Sequence, residues 1–386
     1  MNILFLSPHF PPNYYRFCLR LKELGATVLA IADEPFDRLR PELRQALTEY
    51  RQVENMEDYD QLMRACGYFT YRYGKMDRIE SLNEHWLAAE ARLRTDFNVP
   101  GIKNEDIAKI KRKSEMKKVF RSAGIPVARG GIIPTIEEAR QWIAKLGYPV
   151  VVKPDIGVGS AKTYRLESDR DLVRFFSEKP PVDYVLEEYI GGTIHSFDGI
   201  TAKDGRLLFV ASHVYSQGVM ETVNENRHVS FYSVRQIPDD LMELGLRTLQ
   251  AFDVRERFFH FEFFRTGDGS LVALEVNMRP PGGLTLDMFN FANDIDIYRL
   301  WAQLLLDPYV TFTYERKYYC AYVGRRLSNT YVYSHKEVLT RLGDLLCHHE
   351  RLSPIFQLAM GDYSYLVRSS ELAELREAID VILAVR

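Results

Sequence analysis

The stretch that most restricts how this chain can fold is residues 258–277, where two strand-like runs flank an Asp-Gly turn signal. Phe258-Phe259-His260-Phe261-Glu262-Phe263-Phe264 leads into Arg265-Thr266-Gly267-Asp268-Gly269-Ser270 and then Leu271-Val272-Ala273-Leu274-Glu275-Val276-Asn277. Period-2 alternation around an Asp-Gly pair predicts a β-hairpin. A turn centred between Asp268 and Gly269 sets Glu262 opposite Glu275 and His260 opposite Asn277. The other face (Phe259, Phe261 and Phe263 against Val272, Leu274 and Val276) is wholly apolar, so the glutamates must look away from the core. A loop one residue longer would turn one strand's side chains over.

Two carboxylates directly opposite on a strand pair lie about 5 Å apart at Cβ and repel unless something neutralises them. Glu262, Glu275 and Asn277 form a hard, oxygen-only donor set, which suits magnesium or manganese shared with substrate phosphates and no soft metal. Two residues further on, the guanidinium of Arg279 in Met278-Arg279-Pro280-Pro281-Gly282-Gly283 could brace a phosphoryl or carboxylate oxygen.

A second anion signal lies upstream. Lys153-Pro154-Asp155-Ile156-Gly157-Val158-Gly159-Ser160 joins a buried-type strand to a loop in which Gly157 and Gly159 free the backbone to wrap a polyphosphate. Short Gly-x-Gly loops also end ordinary hairpins, so this segment alone does not decide between phosphate binding and a plain turn.

The composition narrows the partners. A net charge of −3, with basic and acidic residues interspersed, leaves no electrostatic footprint for nucleic acid or an anionic membrane. Cys18, Cys66, Cys320 and Cys347 are too few and too scattered for a disulfide scaffold or a thiolate metal site. The first residues carry no basic region ahead of their short apolar run, and no stretch is long enough to span a bilayer, so a reducing, cytoplasmic setting is expected.

At 386 residues the chain is expected to hold two or three units. Ile3 to Leu6, a helical pattern through Tyr14, Phe17, Cys18, Leu21 and Leu24, and Thr27 to Ala32 read as a βαβ start. Ser7-Pro8-His9-Phe10-Pro11-Pro12 stands where a dinucleotide site needs its glycines, which argues against NAD. Helical, charge-rich sequence then runs to Asn98, and the breaker Val99-Pro100-Gly101 marks the first boundary. Next come a basic helix ending near Gly124-Ile125-Pro126, a helix capped by Thr135 and Glu138, a strand over Pro149 to Lys153, a helix capped by Ser168 with Asp171, and a strand over Tyr184 to Ile190. Beyond Asp307-Pro308 the pattern gives a strand pair, Tyr318 to Arg325 and Thr330 to Tyr333, with helices from Lys336 and Glu371. No repeat or low-complexity tract is present.

Taken in order, these blocks resemble the ATP-grasp superfamily, and within it the carboxylate-amine ligases. Leu274 to Gly283 resembles that family's metal-binding signature. Lys113-Ser114-Glu115-Met116 followed by Ala123-Gly124-Ile125-Pro126-Val127 is similar to the segment of its first ATP-phosphate lysine, and Val151-Val152-Lys153-Pro154 to its second lysine strand. Leu186-Glu187-Glu188-Tyr189-Ile190-Gly191-Gly192, ending in His195-Ser196-Phe197-Asp198-Gly199, resembles the hinge that holds adenine.

The resemblance implies an α/β and α+β chain: a Rossmann-like pre-ATP-grasp domain over 1–100, and a two-lobed ATP-grasp domain over 101–307. Its small lobe would be 101–185 and its hinge and metal-binding lobe 186–307, with a closing lobe over 308–386. It implies an ATP- and magnesium-dependent ligase that activates a small carboxylate as an acyl phosphate and joins it to an amine. Lys113, Lys153, Gly157, Gly159, Ser160, Glu187, Glu188 and Ile190 would hold the nucleotide, with Glu187 accepting from the adenine amino group. Glu262, Glu275 and Asn277 would hold the metal, Arg279 would orient the acyl phosphate, and a homodimer would be expected from the family alone. The sequence departs from the family where a ribose-binding glutamate is common, reading Thr193-Ile194, and where Ser160-Ala161-Lys162 replaces a glycine in the phosphate loop. His213, Tyr215, Asn224, Arg227, His228 and Arg235 read as structural or rim residues, and no catalytic residue is expected from Arg325-Arg326 or Met360-Gly361-Asp362. Two other readings remain: a bicarbonate-activating enzyme related to carboxylases and carbamoyl phosphate synthesis, and a nucleotide-binding regulatory protein without turnover.

Overall fold

The computed structural model describes residues 1–157, 162–216 and 228–386. Three sheets organise them. In the first, Asn2–Leu6 runs parallel between Thr27–Ala32 and Arg78–Glu80, with Glu49–Gln52 outside Thr27–Ala32. Ile3 to Leu6 and Val28 to Ala32 are almost wholly buried, as expected of parallel strands covered on both faces. Tyr15–Glu23 covers one face through Phe17, Cys18 and Leu21, and Tyr59–Tyr73 packs on the other through Leu62, Ala65, Cys66 and Phe69.

A small antiparallel sheet follows, in the order Gly130–Ile132, Tyr184–Glu188, Val150–Pro154, Tyr164–Leu166. The helices on it start where the sequence put them. Thr135 and Glu138 form a reciprocal capping box on Ile136–Leu146, and Ser168 accepts from the Asp171 N–H at the start of Asp169–Glu178. At Gly130 an added Cβ would lie 1.9 Å from the Leu186 carbonyl oxygen, so the strand beside Glu187 admits only glycine there.

The third sheet has nine strands. Toward one end of it Thr193–Thr201 pairs with Arg257–Arg265, which in turn pairs with the edge strand Leu271–Asn277. Phe197, Phe259, Phe261 and Phe263 line one face, with Phe197 and Phe259 stacked 5.6 Å apart. Each such buried ring contributes about 1.5–3 kcal/mol. Helix Asp239–Ala251 lies so close over them that a Cβ on Gly245 would sit 2.5 Å from the Phe197 ring. Further along, Val229–Ser233 pairs with Tyr319–Arg325, which pairs with Tyr363–Ser369 and through it Leu346–Arg351, so the chain beyond residue 308 extends the same sheet.

One expected strand is absent. Within Thr330 to Tyr333 only Tyr331 makes a bridge, to Val385. The segment is drawn out of the ladder because Tyr331 OH accepts from the Arg326 N–H and Ser334 immediately caps the helix His335–Leu342 through a second capping box.

Candidate active site

The hairpin brings Glu262 opposite Glu275 and His260 opposite Asn277. It does so by a route the sequence did not show. The turn is one residue longer than expected, with Arg265 paired to Leu271, and a bulge between Glu262 and Phe263 leaves Leu274 as the extra residue. The two one-residue departures cancel at the glutamates but not between them. Ala273 and Leu271 join Val276 in the core, while Val272 and Leu274 are only half-buried.

The carboxylates are held from behind. Glu262 Oε1 lies 3.0 Å from His260 Nε2, and His260 Nδ1 lies 2.5 Å from Asp198, one strand further into the sheet. Asp198 also accepts from Ser196 Oγ at 2.5 Å and lies 2.8 Å from His213 Nδ1. Burial alone would push the His260 imidazole down, but a carboxylate at each ring nitrogen outweighs it and raises the group to about 9. Burial would likewise raise Asp198, yet His260 and His213 hold it at about 2. Glu262 is therefore backed by an imidazolium.

Lys113 approaches the hairpin from a helix packed against it. Helix Lys113–Ser122 seats Met116 and Phe120 against the hairpin's apolar face, and the Ala273 N–H donates to the Pro126 carbonyl at 2.8 Å. The helix start is clamped by buried Asp155, which accepts from Arg112 Nε at 2.7 Å and from the Ser114 N–H at 2.8 Å. Lys113 Nζ thus lies 4.0 Å from Glu275 Oε2 and donates to the Gly157 carbonyl at 3.3 Å. Burial would raise the Glu275 carboxyl, but Lys113 and Lys153, with Asn277 and Arg279, depress it.

Lys153 and Glu187 project from neighbouring strands to the same side. Lys153 Nζ is 2.9 Å from Glu187 Oε2, and Lys117 Nζ, one helical turn beyond Lys113, is 2.9 Å from Oε1 while donating to the Ala128 carbonyl at 2.7 Å. All three side chains are buried. Desolvation opposes the Glu187 charge, and the two ammonium groups more than restore it, bringing the carboxyl to about 2. Glu188 faces the other way, toward Arg129 at 2.6 Å. Ile190 follows, half-buried, in the connection to Thr193–Thr201. Gly159 and Ser160, like Asn224 and Arg227, lie outside the described residues.

Arg279 donates to the Pro280 carbonyl at 2.7 Å and to Asn277 Oδ1 at 3.4 Å, and its Nε lies 3.7 Å from Glu84. Of the other polar residues, His213 belongs to the Asp198 network and Tyr215 stacks on Phe231 at 4.9 Å. His228 meets Tyr331 and Asn329, and Arg235 donates to the Arg316 and Ser370 carbonyls. Arg325 spends its guanidinium on the Ile382 and Tyr333 carbonyls.

Sequence reading missed the parts played by Lys117, Asp198, His260 and Glu84. The i, i+4 spacing of Lys113 and Lys117 and the alternation of His260 with Glu262 were available as signals. The Asp198 pairing was not, because its partners lie in separate strands.

Among the described residues no cluster of three or more His, Cys, Asp or Glu could hold a metal alone. The donor set still fits magnesium: two carboxylates and an amide oxygen on one hairpin face leave positions for water and phosphate oxygens, as that ion prefers. Lys113 Nζ stands beside that set, 4.0 Å from Glu275 Oε2.

Residues 146–287 match the family model described as an ATP-grasp domain. Among curated proteins, the L-arginine-specific L-amino acid ligase of Bacillus subtilis is 26% identical over 247 residues, 59% of each chain. The carbamoyl phosphate synthase large chain of Agathobacter rectalis is 24% identical over 228 residues, 56% of this chain and 20% of that one. The chain therefore spans three-fifths or less of the length of these curated relatives. Among solved structures, an L-amino acid ligase from Bacillus licheniformis superposes with a TM-score of 0.73 at 16% identity, covering 98% of this chain and 95% of that one. N5-carboxyaminoimidazole synthetase from Staphylococcus aureus gives 0.71 at 15%, covering 98% and 96%. At these identities the structural likeness establishes the fold. Among the described residues no helix is long and apolar enough to cross a membrane.

Proposed function

We propose that this chain is an ATP- and magnesium-dependent carboxylate-amine ligase whose carboxylate substrate is an amino acid. The observation that carries the reading is the hairpin itself, which sets Glu262 opposite Glu275 with Lys113 4.0 Å from the second carboxylate. The likeness to an amino acid ligase supports the choice of substrate.

A carboxylate resists nucleophiles because of its charge, so it must first be activated. Lys113 and Lys153 hold the ATP phosphates in line, and Glu187 and Ile190 receive the adenine. Gly157, with Gly159 and Ser160, offers backbone N–H groups to the phosphates. A substrate carboxylate oxygen attacks the γ-phosphorus, the bond to the β,γ-bridging oxygen breaks, and ADP leaves. Arg279 braces the resulting acyl phosphate. The amine nitrogen then attacks the acyl carbon, phosphate departs and the nitrogen loses a proton. Bound magnesium, held by Glu262, Glu275 and Asn277, would neutralise charge on the transferring phosphoryl. Positioning and charge neutralisation carry such reactions, which is why the site is rich in cations and carboxylates. In this reading residues 1–100 buttress the site, 101–307 hold nucleotide and metal, and 308–386 cover it. The enzyme works in the cytoplasm, as a homodimer.

Purified protein given ATP, magnesium and amino acids singly and in pairs tests the reading through ADP release. Turnover that needs an amino acid supports it. Release driven by bicarbonate alone would replace it with a carboxylase-like activity, and tight ATP binding without any ADP would leave a regulatory protein.

A further inference from the structure

The backbone between Asn277 and Arg279 is gripped by the N-terminal domain through one buried side chain. Arg257, at the start of strand Arg257–Arg265, donates from Nε to the Met278 carbonyl at 2.7 Å and from Nη2 to Glu90 Oε1 at 2.7 Å. Glu90 lies on helix Leu87–Asp96 and is itself fixed on three sides. The Ser81 N–H and hydroxyl donate to its second oxygen at 2.7 and 2.5 Å, and Arg94 lies 2.6 Å from the first. Arg94 also donates to Glu80 at 2.7 Å. Two arginines and two glutamates thus form a neutral cluster in which no member is more than 6% exposed. The same domain approaches a second time through Glu84, beside Arg279.

A buried four-ion cluster is weak evidence for stability, because desolvation consumes most of the attraction. What this one supplies is a fixed direction. A guanidinium is a planar fork, so anchoring one arm on Glu90 aims the other at a single carbonyl, and that carbonyl sits between two side chains at the candidate centre. We infer that Arg257 is a positioning residue: held by Glu90, it fixes the Met278 peptide and with it the placement of Asn277 and Arg279. The N-terminal domain, whose first turn lacks dinucleotide-binding glycines, serves as the rigid wall against which that strand end is set. The inference rests on the roles proposed for Asn277 and Arg279, and it adds residues that touch neither nucleotide nor metal.

The test is a double-mutant cycle of Arg257→Lys and Arg279→Lys, read as kcat and KM for ATP in the ADP-release assay. Lysine keeps the charge but replaces the planar fork by a single ammonium, which does not fix the two bonds in one direction. Arg257→Lys should lower kcat about tenfold or more, since small misplacements at a reacting centre carry such costs, while KM for ATP, to which Lys113, Lys153 and Glu187 also contribute, moves less than about twofold. On an Arg279→Lys background the same change should cost little more, because both act through one segment. Glu90→Gln, which keeps the shape and loses the anchor's charge, should reproduce the kcat loss with an unfolding temperature close to that of Arg257→Lys. Independent, multiplying effects of the two lysine variants, or an Arg257→Lys enzyme with unchanged kcat, would overturn the positioning role while leaving the proposed function standing. An Arg279→Lys enzyme with full turnover would overturn the assignment of Arg279, and this inference with it.

Discussion

Replacing Glu187 by glutamine removes one charge from a buried group of three and leaves Lys117 and Lys153 facing each other without their shared anion. The size of the effect follows from the carboxyl's displacement. A fall from an ordinary 4.5 to about 2 means the folded protein prefers the ionised form, at about 1.4 kcal/mol per tenfold change in proton affinity, by about 3 kcal/mol. Because the group is only 5% exposed, solvent screening takes little from that figure. The folded value is the lower one, so the stabilisation is complete above the unfolded carboxyl's range and is lost as pH falls from about 4.5 toward 2. Native-state hydrogen exchange of the peptides covering Val150–Pro154 and Tyr184–Glu188 reads the local stability directly. At neutral pH the Gln variant should exchange there about a hundredfold faster, the rate equivalent of about 3 kcal/mol. The wild type should approach the variant as pH drops below about 4, on the same linkage. A Gln variant whose two strands exchange within threefold of wild type at pH 7 would show that the triad contributes nothing of this kind.

Further outcomes follow from the same geometry. Lys113→Met removes the cation 4.0 Å from Glu275 and should raise KM for ATP at least about tenfold in the ADP assay while thermal unfolding changes little. Gly130→Ala drives a Cβ into the Leu186 carbonyl, so the strand beside Glu187 must move; a loss of about 2 kcal/mol or more in the lobe's stability, with weaker nucleotide binding by calorimetry, is expected. The His260–Asp198 pair is stabilising over a window with two edges. Depressed Asp198 contributes above about 4 and loses that as pH falls through 2, and raised His260 contributes below about 6.5 and loses that as pH climbs through 9. The melting-temperature difference between wild type and His260→Gln should therefore be largest between pH 4 and 6.5 and shrink on both sides.

The local elements were legible because their determinants are local. Thr27–Ala32 and Leu271–Asn277 have the bounds read from the sequence, and the Thr135 and Ser168 caps sit where the letters put them. Glu262 and Glu275 were paired correctly although the turn is one residue longer than expected, because a bulge the alternation did not show restores the register at the glutamates. What could not be read depends on residues far apart in the chain. Glu187 gains its charge state from Lys117 and Lys153, and Met278 is held through Arg257 by Glu90, which lies 167 positions before that arginine. Thr330 to Tyr333 failed for a related reason: strand propensity was present, but the partner edge was already taken by Tyr363–Ser369 on one side of Tyr319–Arg325 and Val229–Ser233 on the other.

The claim on which the whole reading turns is that the face shared by Glu262 and Glu275 grips a divalent cation together with the nucleotide's phosphates. Manganese binding followed by electron paramagnetic resonance, with and without a non-hydrolysable ATP analogue, measures that directly. Wild-type protein should bind one manganese ion far more tightly when the analogue is present, and Glu275→Gln and Glu262→Gln should each weaken that binding by about tenfold or more, as loss of a charged ligand demands. Equal manganese affinity in both variants and the wild type would contradict it.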